Sequence, residues 1–356
     1  MKQVCICTFC VWNSYGSMLQ AYGLQYALKQ LDCRGSIAST KPEPAKKWIF
    51  PGLKTRSVKG MVVDLHRMLI SRKLKRKYSA CGSFIRRNIN IDYFGSFEAL
   101  AEAPPRADVY LAGSDQVWNP RKMDPAFFLE FVPEGYPRIT YGASMGIPKI
   151  PAGKEGDFCR LVRGFDHISL RERDNVPVVG AYTDQLPEVH IDPVFLVPQE
   201  HWREMEQPYP IDEPYILVYP IYWEKGLNRQ LKALHEKTGK TIVAVLGQAQ
   251  QVYANSRIYD ASPEQFLWLI DHADAVVSSS FHGIAMSLVF EKPFSAVIDP
   301  KSPSRLRCLL ETLETGNRAI PDLADDAARN YDGLREKINL ERGRSMAYLG
   351  KVLNIQ

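Results

Sequence analysis

The sequence predicts an α/β protein of two Rossmann-like, doubly wound domains that face each other across a cleft. Three observations carry this expectation. Apolar, strand-like runs alternate with helical ones at the spacing that parallel sheets require. The alternation breaks at PQEHWREMEQPYPIDEP (198–214), rich in proline and charge, and restarts beyond it. Polar turns carrying serine or glycine follow several apolar runs, where open α/β sheets hold their ligands. At 356 residues the chain exceeds one ordinary domain. The expected division is 1–205 and 206–356, with a basic helical insertion at about 42–100 in the first part and C-terminal helices of the second packing back on the first.

Taken in order, KQVCICTF is a first strand. YGSMLQAYGLQYALKQL is a helix whose Leu19, Tyr22, Leu24, Tyr26, Leu28 and Leu31 recur broadly on one side. Between them Asn13-Ser14-Tyr15-Gly16 offers capping side chains and a glycine that admits close backbone approach. ADVYLAG (107–113) is the next strand and runs into SDQVWNP; further strands are expected at 138–143, 166–171 and about 188–192. Past the boundary come strand PYILVYP (214–220), a helix near 226–237, strand TIVAVLG (241–247) and helix SPEQFLWLIDHA (262–273). That helix is well marked, with Ser262 as N-cap, Pro263 at its first position and Glu264 and Gln265 in its first turn. DAVVSSS, FHGIAMSLVF and KPFSAVI then repeat strand, helix and strand.

Bulk composition narrows the function classes. Apolar residues make up 45% and charged residues 24%, the balance of a packed globular protein. The apolar opening MKQVCICTFC turns polar too soon for a signal peptide, and no uncharged run reaches the roughly 18–20 residues of a membrane span. A cytoplasmic location, extending to the inner face of the membrane, is expected. Cys7 and Cys10 form a CxxC, but no second pair completes a metal set, so buried reduced thiols are expected and no metal or cofactor is invoked. Most of the basic excess behind the net charge of +5 falls in 41–87, including SRKLKRKYSACGSFIRR. It reads as a solvated helix face, or as a peripheral contact with an anionic glycan, lipid-linked sugar or membrane surface. No nucleic-acid-binding pattern accompanies it.

Several strand ends carry groups suited to an anion. Ser278-Ser279-Ser280-Phe281-His282-Gly283 joins a strand to a helix, and its hydroxyls, glycine and helix amides suit an oxyanion or phosphate. His282 there is able to donate to an anion or move a proton; equally, the serines cap the helix and His282 satisfies buried backbone. Gly113-Ser114-Asp115-Gln116 is a second junction. Asp115 suits a sugar hydroxyl and Trp118 a sugar ring, or both serve capping and core. Arg171, in the cluster Arg171-Glu172-Arg173-Asp174, leaves a strand where paired donors grip a carboxylate or phosphate. Ser304, Arg305 and Arg307 form another anion candidate. The triphosphate loop, dinucleotide fingerprint, nucleophile elbow and HExxH are all missing from the sequence.

Six motifs in order, from about residue 6 to 310, resemble the polysaccharide pyruvyl transferase family. They are NSYGSMLQAYGLQYAL, LAGSDQVWNP, ITYGASMG, Ser169–Asp174, His190–Leu196 and VVSSSFHGIAMSLVFEKPF. The resemblance implies a glycosyltransferase-B-like architecture, phosphoenolpyruvate as donor, and a sugar or lipid-linked oligosaccharide of a cell-surface polysaccharide as acceptor. It implies His282 and Arg171 at the donor, together with the Ser279, Ser280, Gly283 cradle and Arg305. Asn13, Tyr15, Gly16, Ser114, Asp115 and Trp118 are expected on the acceptor side, and His282 and Asp115 as the catalytic pair. Some relatives carry Arg-Leu-His where this chain has Ser280-Phe281-His282, so one donor arginine is missing. The alternatives are a nucleotide-sugar glycosyltransferase, for which Asp299 is the candidate ribose contact, and a non-catalytic glycan-binding relative.

Overall fold

The computed structural model describes residues 1–43, 58–222, 224, 226–247, 252–300, 302–317, 319–325 and 332–354, so Lys46 and Lys47 of the basic run lie outside the described residues. The chain begins with β1 (Lys2–Cys7), α1 (Tyr15–Gln30), β2 (Cys33–Ser39), α2 (Val58–Asn88), β3 (Ile91–Tyr93), α3 (Phe97–Glu102), β4 (Val109–Ala112) and β5 (Arg138–Thr140). These strands form a parallel sheet in the order β3-β2-β1-β4-β5. The short elements α4 (Glu155–Val162), β6 (Ser169–Leu170), α5 (Val176–Gly180) and β7 (Glu188–Val189) follow. Single bridges, Ile139 to His167 and Ala143 to Leu170, continue the sheet toward them.

After α6 (Gln199–Glu204) the pattern restarts with β8 (Tyr215–Tyr219), α7 (Leu227–Thr238), β9 (Thr241–Val245) and β10 (Ser256–Ile258). It continues through α8 (Pro263–Asp271), β11 (Ala275–Ser278), α9 (Phe281–Val289), β12 (Phe294–Ala296) and α10 (Ser304–Thr312), and ends with α11 (Asp332–Val352). The second sheet is also parallel, in the order β10-β9-β8-β11-β12. Both sheets thus grow outward from their first strand and then cross to its other side. That reversal opens a crevice at the strand ends, between β1 and β4 in one sheet and β8 and β11 in the other. The central strands β4, β8 and β11 are buried along their whole length, as helices on both faces demand.

The expected strands and helices on either side of the boundary are present, with ends trimmed by a few residues. β2, β3 and β10 were not expected. β3 and β10 are three-residue edge strands, and β2 reads CRGSIAS, too polar to stand out. β3 falls within the stretch expected to be a helical insertion.

α2 is more than a solvated helix. Its Phe84 and Ile85, with Ile89 just beyond its end, join the core around α1, while Ile70 and Leu74 pack with Ile216, Val218 and Leu227 beside the second sheet. Arg87 pairs with Glu264 of α8. Arg72, Lys73, Lys75 and Arg76 of the basic run face solvent, but Lys77 is turned inward and only 2% exposed. At the other end of the chain, α11 lies on the first sheet: Tyr348 Oη donates to the Thr140 carbonyl at 3.0 Å, and Lys2 Nζ to the Leu353 carbonyl. Among the described residues no helix is long and apolar enough to cross a membrane.

Candidate functional site

The C-terminal ends of the two sheets meet where α1 and α9 begin. In α1, Ser14 caps the first turn by accepting from the Ser17 amide, and Asn13 before it sits at φ 77°. Gly16 follows, and a Cβ there would overlap the imidazole of His282, whose own Cβ would lie 2.8 Å away. Glycine at this position is therefore what lets α1 close on α9. α9 starts with Ser280 as N-cap, accepting from the Gly283 amide at 3.3 Å, and carries His282 in its first turn, 7% exposed.

Asp192 organises the groups around that ring. It lies just before a 3-10 turn over Pro193–Leu196 and uses Oδ1 to accept from the Val194 amide at 3.1 Å. Its Oδ2 accepts from Arg171 Nη1 at 2.6 Å and Ser114 Oγ at 3.2 Å, and stands 3.5 Å from His282 Nε2. Burial would raise the Asp192 pKa, but the neighbouring His282 and Arg171 outweigh it and hold the carboxyl well below the usual range.

Arg171, at the end of β6, is equally enclosed. Nε donates to Glu172 at 3.1 Å, Nη2 stands 3.9 Å from Asp115, and the guanidinium lies 4.1 Å over the Phe281 ring. Burial opposes its charge, yet Glu172, Asp192 and Asp115 together push its pKa above the usual value. Arg305, at the start of α10, is pulled the other way, by burial first and then by the charge of Arg171. Arg171, Asp192, Phe281 and Arg305 line one small cavity of about 20 Å³, room for about one water molecule. Among the described residues, Arg171 Nη2, Glu172 Oε2 and His282 Nε2 are buried without a hydrogen-bond partner. Buried polar atoms seldom stay unmatched, so these mark a place where a ligand completes the bonding.

Six of the residues expected from sequence converge here: Gly16, Ser114, Asp115, Arg171, His282 and Arg305. Others do not. Trp118 is wholly buried, stacked on Phe128 with centroids 5.5 Å apart, so it gives no platform for a sugar ring. Tyr15 is buried too; its ring stacks on Phe266 at 4.3 Å and its hydroxyl donates to the Ala261 carbonyl at 2.7 Å, which makes it a tie between the sheets. Ser279 is spent on scaffold, its Oγ accepting from the Ile221 and Tyr222 amides at 2.8 Å and donating to the Tyr222 carbonyl. Ser280 is spent on its cap, and Gly283 makes room for Ser278 and Tyr219. Asn13 is exposed on its turn. Arg307 pairs with Asp174, while Ser304 Oγ is buried without a partner. All seven cysteines, Cys7 and Cys10 among them, are free thiols. Asp192 carried no role in the sequence reading. Its signs were its place before proline at the end of a strand-like run and within the His190–Leu196 motif.

The fold is of glycosyltransferase-B-like architecture, two Rossmann-like domains around a cleft that holds clustered arginine, histidine and carboxylate groups. The chain belongs to the polysaccharide pyruvyl transferase family, whose model, described as polysaccharide pyruvyl transferase, matches residues 15–301. It is accordingly a phosphoenolpyruvate-dependent pyruvyl transferase acting on a hydroxyl pair of a polysaccharide or its precursor. No curated protein matches the chain. Among solved structures it is similar to the UDP-GlcNAc 2-epimerase of Neisseria meningitidis bound to UDP-GlcNAc, with TM-score 0.58, 11% identity and 100% of both chains covered. It is also similar to UDP-N-acetylglucosamine 2-epimerase from Rickettsia bellii, with TM-score 0.56, 10% identity, and 99% of this chain and 96% of that one covered. A third likeness is AviGT4, a glycosyltransferase involved in avilamycin A biosynthesis, with TM-score 0.51, 14% identity and 99% and 97% coverage. At such identities these likenesses concern the fold alone.

Proposed function

We propose that pyruvyl transfer takes place at the Asp192–Arg171–His282 cluster, between the strand ends of the two sheets. The observation that carries this reading is the pair of buried polar atoms without a hydrogen-bond partner, Arg171 Nη2 and His282 Nε2, on the two residues that flank Asp192, with a small cavity beside Arg171 and Asp192. Arg171 and Arg305 grip the donor carboxylate or phosphate. His282, held by Asp192, donates a proton to C3 of the enol, and C2 gains cationic character. One acceptor hydroxyl adds to C2 and gives up its proton to Asp115. The second hydroxyl then forms its bond to C2 as the C2–O bond to phosphate breaks, and the phosphate leaves with the electron pair and takes up the second hydroxyl's proton. Asp115 is placed for the hydroxyl side: its side chain keeps 19% exposure while one oxygen is anchored by the Gln116 amide at 2.9 Å. Preorganised donors of this kind supply much of the rate in such reactions.

The test is calorimetry with phosphoenolpyruvate on wild type and His282→Ala, followed by phosphate release with candidate acceptors. Saturable binding by wild type is expected, with turnover in the variant down by about 10²–10⁴. Undiminished turnover in His282→Ala would remove the residue from the mechanism. Binding of a nucleotide sugar in place of phosphoenolpyruvate would discard the donor.

A further inference from the structure

The cluster just described has too little positive charge for its task. Two guanidinium groups, Arg171 and Arg305, and the proton-donating His282 stand among three carboxylates, Asp115, Glu172 and Asp192. A donor bearing both a carboxylate and a phosphate adds several negative charges, so a further cation is needed near the same helix ends. Among the described residues only two lysine or arginine side chains are buried, Arg171 and Lys77. Arg171 is ringed by carboxylates; among the described residues Lys77 has no ion pair and no hydrogen bond, and its contact is with an aromatic ring. Its Nζ stands 4.0 Å from the centroid of the Tyr15 ring, the first residue of α1. Burial pulls its pKa below that of an ordinary lysine, and the nearby Cys81 offsets this in part. An isolated buried ammonium is costly and persists where something else needs it.

Its surroundings tie it to the site. Tyr15 is followed by Gly16, against which His282 packs, and the Tyr15 ring lies 6.0 Å from that of Tyr219. Tyr219 Cδ1 in turn would be 3.1 Å from a Cβ on Gly283, the residue after His282. The amides of Tyr15 and Gly16, at the open N-terminal turn of α1, have no acceptor among the described residues. α2 lies against the turn that leads into α1: Trp12 lies where Gly82 leaves space, and Cys81 hydrogen-bonds to the backbone at Asn13.

We propose that Lys77 is the cation of a phosphate subsite at the N-terminus of α1, beside the His282 cluster, and that it binds a phosphoryl group of the reactants. The ammonium supplies the charge, and the α1 amides and helix dipole supply oriented donors. The inference rests on the reading of the chain as a phosphoenolpyruvate-dependent transferase and adds to it a residue from the basic helix.

The test compares wild type, Lys77→Met and Lys77→Gln by calorimetry with phosphoenolpyruvate, inorganic phosphate and pyrophosphate, together with thermal melts without ligand. Losing a charge-assisted contact should weaken binding about tenfold or more. The ligand-free melting temperature should hold or rise, because an uncompensated buried charge is removed. Weakened phosphoenolpyruvate and phosphate would assign the subsite to the donor. Weakened pyrophosphate alone would assign it to the diphosphate of a lipid-linked acceptor. Unchanged binding of all three, with a lowered melting temperature in both variants, would show Lys77 to be a packing residue and overturn the proposal. If wild type itself fails to bind phosphoenolpyruvate, the donor reading fails; the phosphate and pyrophosphate comparisons still decide the subsite.

Discussion

At the scale of single residues, the position of the His282 ring is set by what flanks it. Asp192 holds one edge and the bare Cα of Gly16 leaves room for the other. Gly16 does not have a positive φ, so its requirement is for space and not for backbone freedom. Gly16→Ala should therefore displace the ring, costing about 1–3 kcal/mol in stability as other overpacked sites do. Turnover should fall about tenfold or more while the fold persists. Thermal melts and phosphate release measure both quantities; a variant with normal turnover would mean that the ring position is immaterial. The sequence shows His282, Arg171 and Asp115 as candidates because each follows an apolar strand, where open α/β sheets hold their ligands. It misplaces Tyr15 and Trp118, because an aromatic residue at such a junction packs inward or outward according to neighbours outside the local pattern, here Phe266 for Tyr15 and Phe128 and Phe165 for Trp118. Lys77 is hidden among bases of identical type. Only the rotation of α2 separates it from Arg76 and Lys75.

At the scale of elements, local signals were most readable where a helix end states its own chemistry. Ser262, Pro263 and Gln265 mark the start of α8, and the structure has a full capping box there, with Gln265 Oε1 accepting from the Ser262 amide at 3.0 Å. Edge strands such as β3 and β10 give no comparable signal, since three residues cannot show a period. Just after α6, Glu206 is pressed against Asp271 of α8. Burial first, and then the Asp271 charge, raise its pKa to about 7. In the unfolded chain the group titrates near about 4.3. The folded state thus prefers the protonated form, and stability falls as pH rises from the unfolded value through about 7. Glu206→Gln removes that penalty. Its melting temperature should exceed that of wild type by about 2 °C above pH 7.5 and match it below about pH 4.5. A pH-independent difference between the two would refute the assigned cause.

At the scale of the whole molecule, the two sheets share more than a polar cleft. One apolar cluster runs through Leu19 and Leu28 of α1, Phe84 of α2, Phe266 of α8, Ile284 of α9 and Leu349 of α11. Tyr15 crosses from the first sheet to stack on Phe266 at an interplanar angle of 9°, and α2 adds apolar contacts at both ends. Domains joined only through a small polar interface melt separately; a continuous core couples them. The doubly wound pattern of each half was legible in the sequence, since strand–helix alternation is local. The coupling was not, because it depends on which side chains of α1, α2 and α11 meet the other sheet. The chain should accordingly unfold in a single calorimetric transition whose calorimetric and van't Hoff enthalpies agree. Tyr15→Ala leaves a void at the junction and should cost about 3–5 kcal/mol, as for other large buried aromatics. Because the lost contact is shared, that cost should lower the one transition as a whole. Two resolved transitions in wild type, or a Tyr15→Ala variant in which only part of the unfolding signal moves, would mean that the sheets fold as separate units and that the cleft between them opens without disturbing either core.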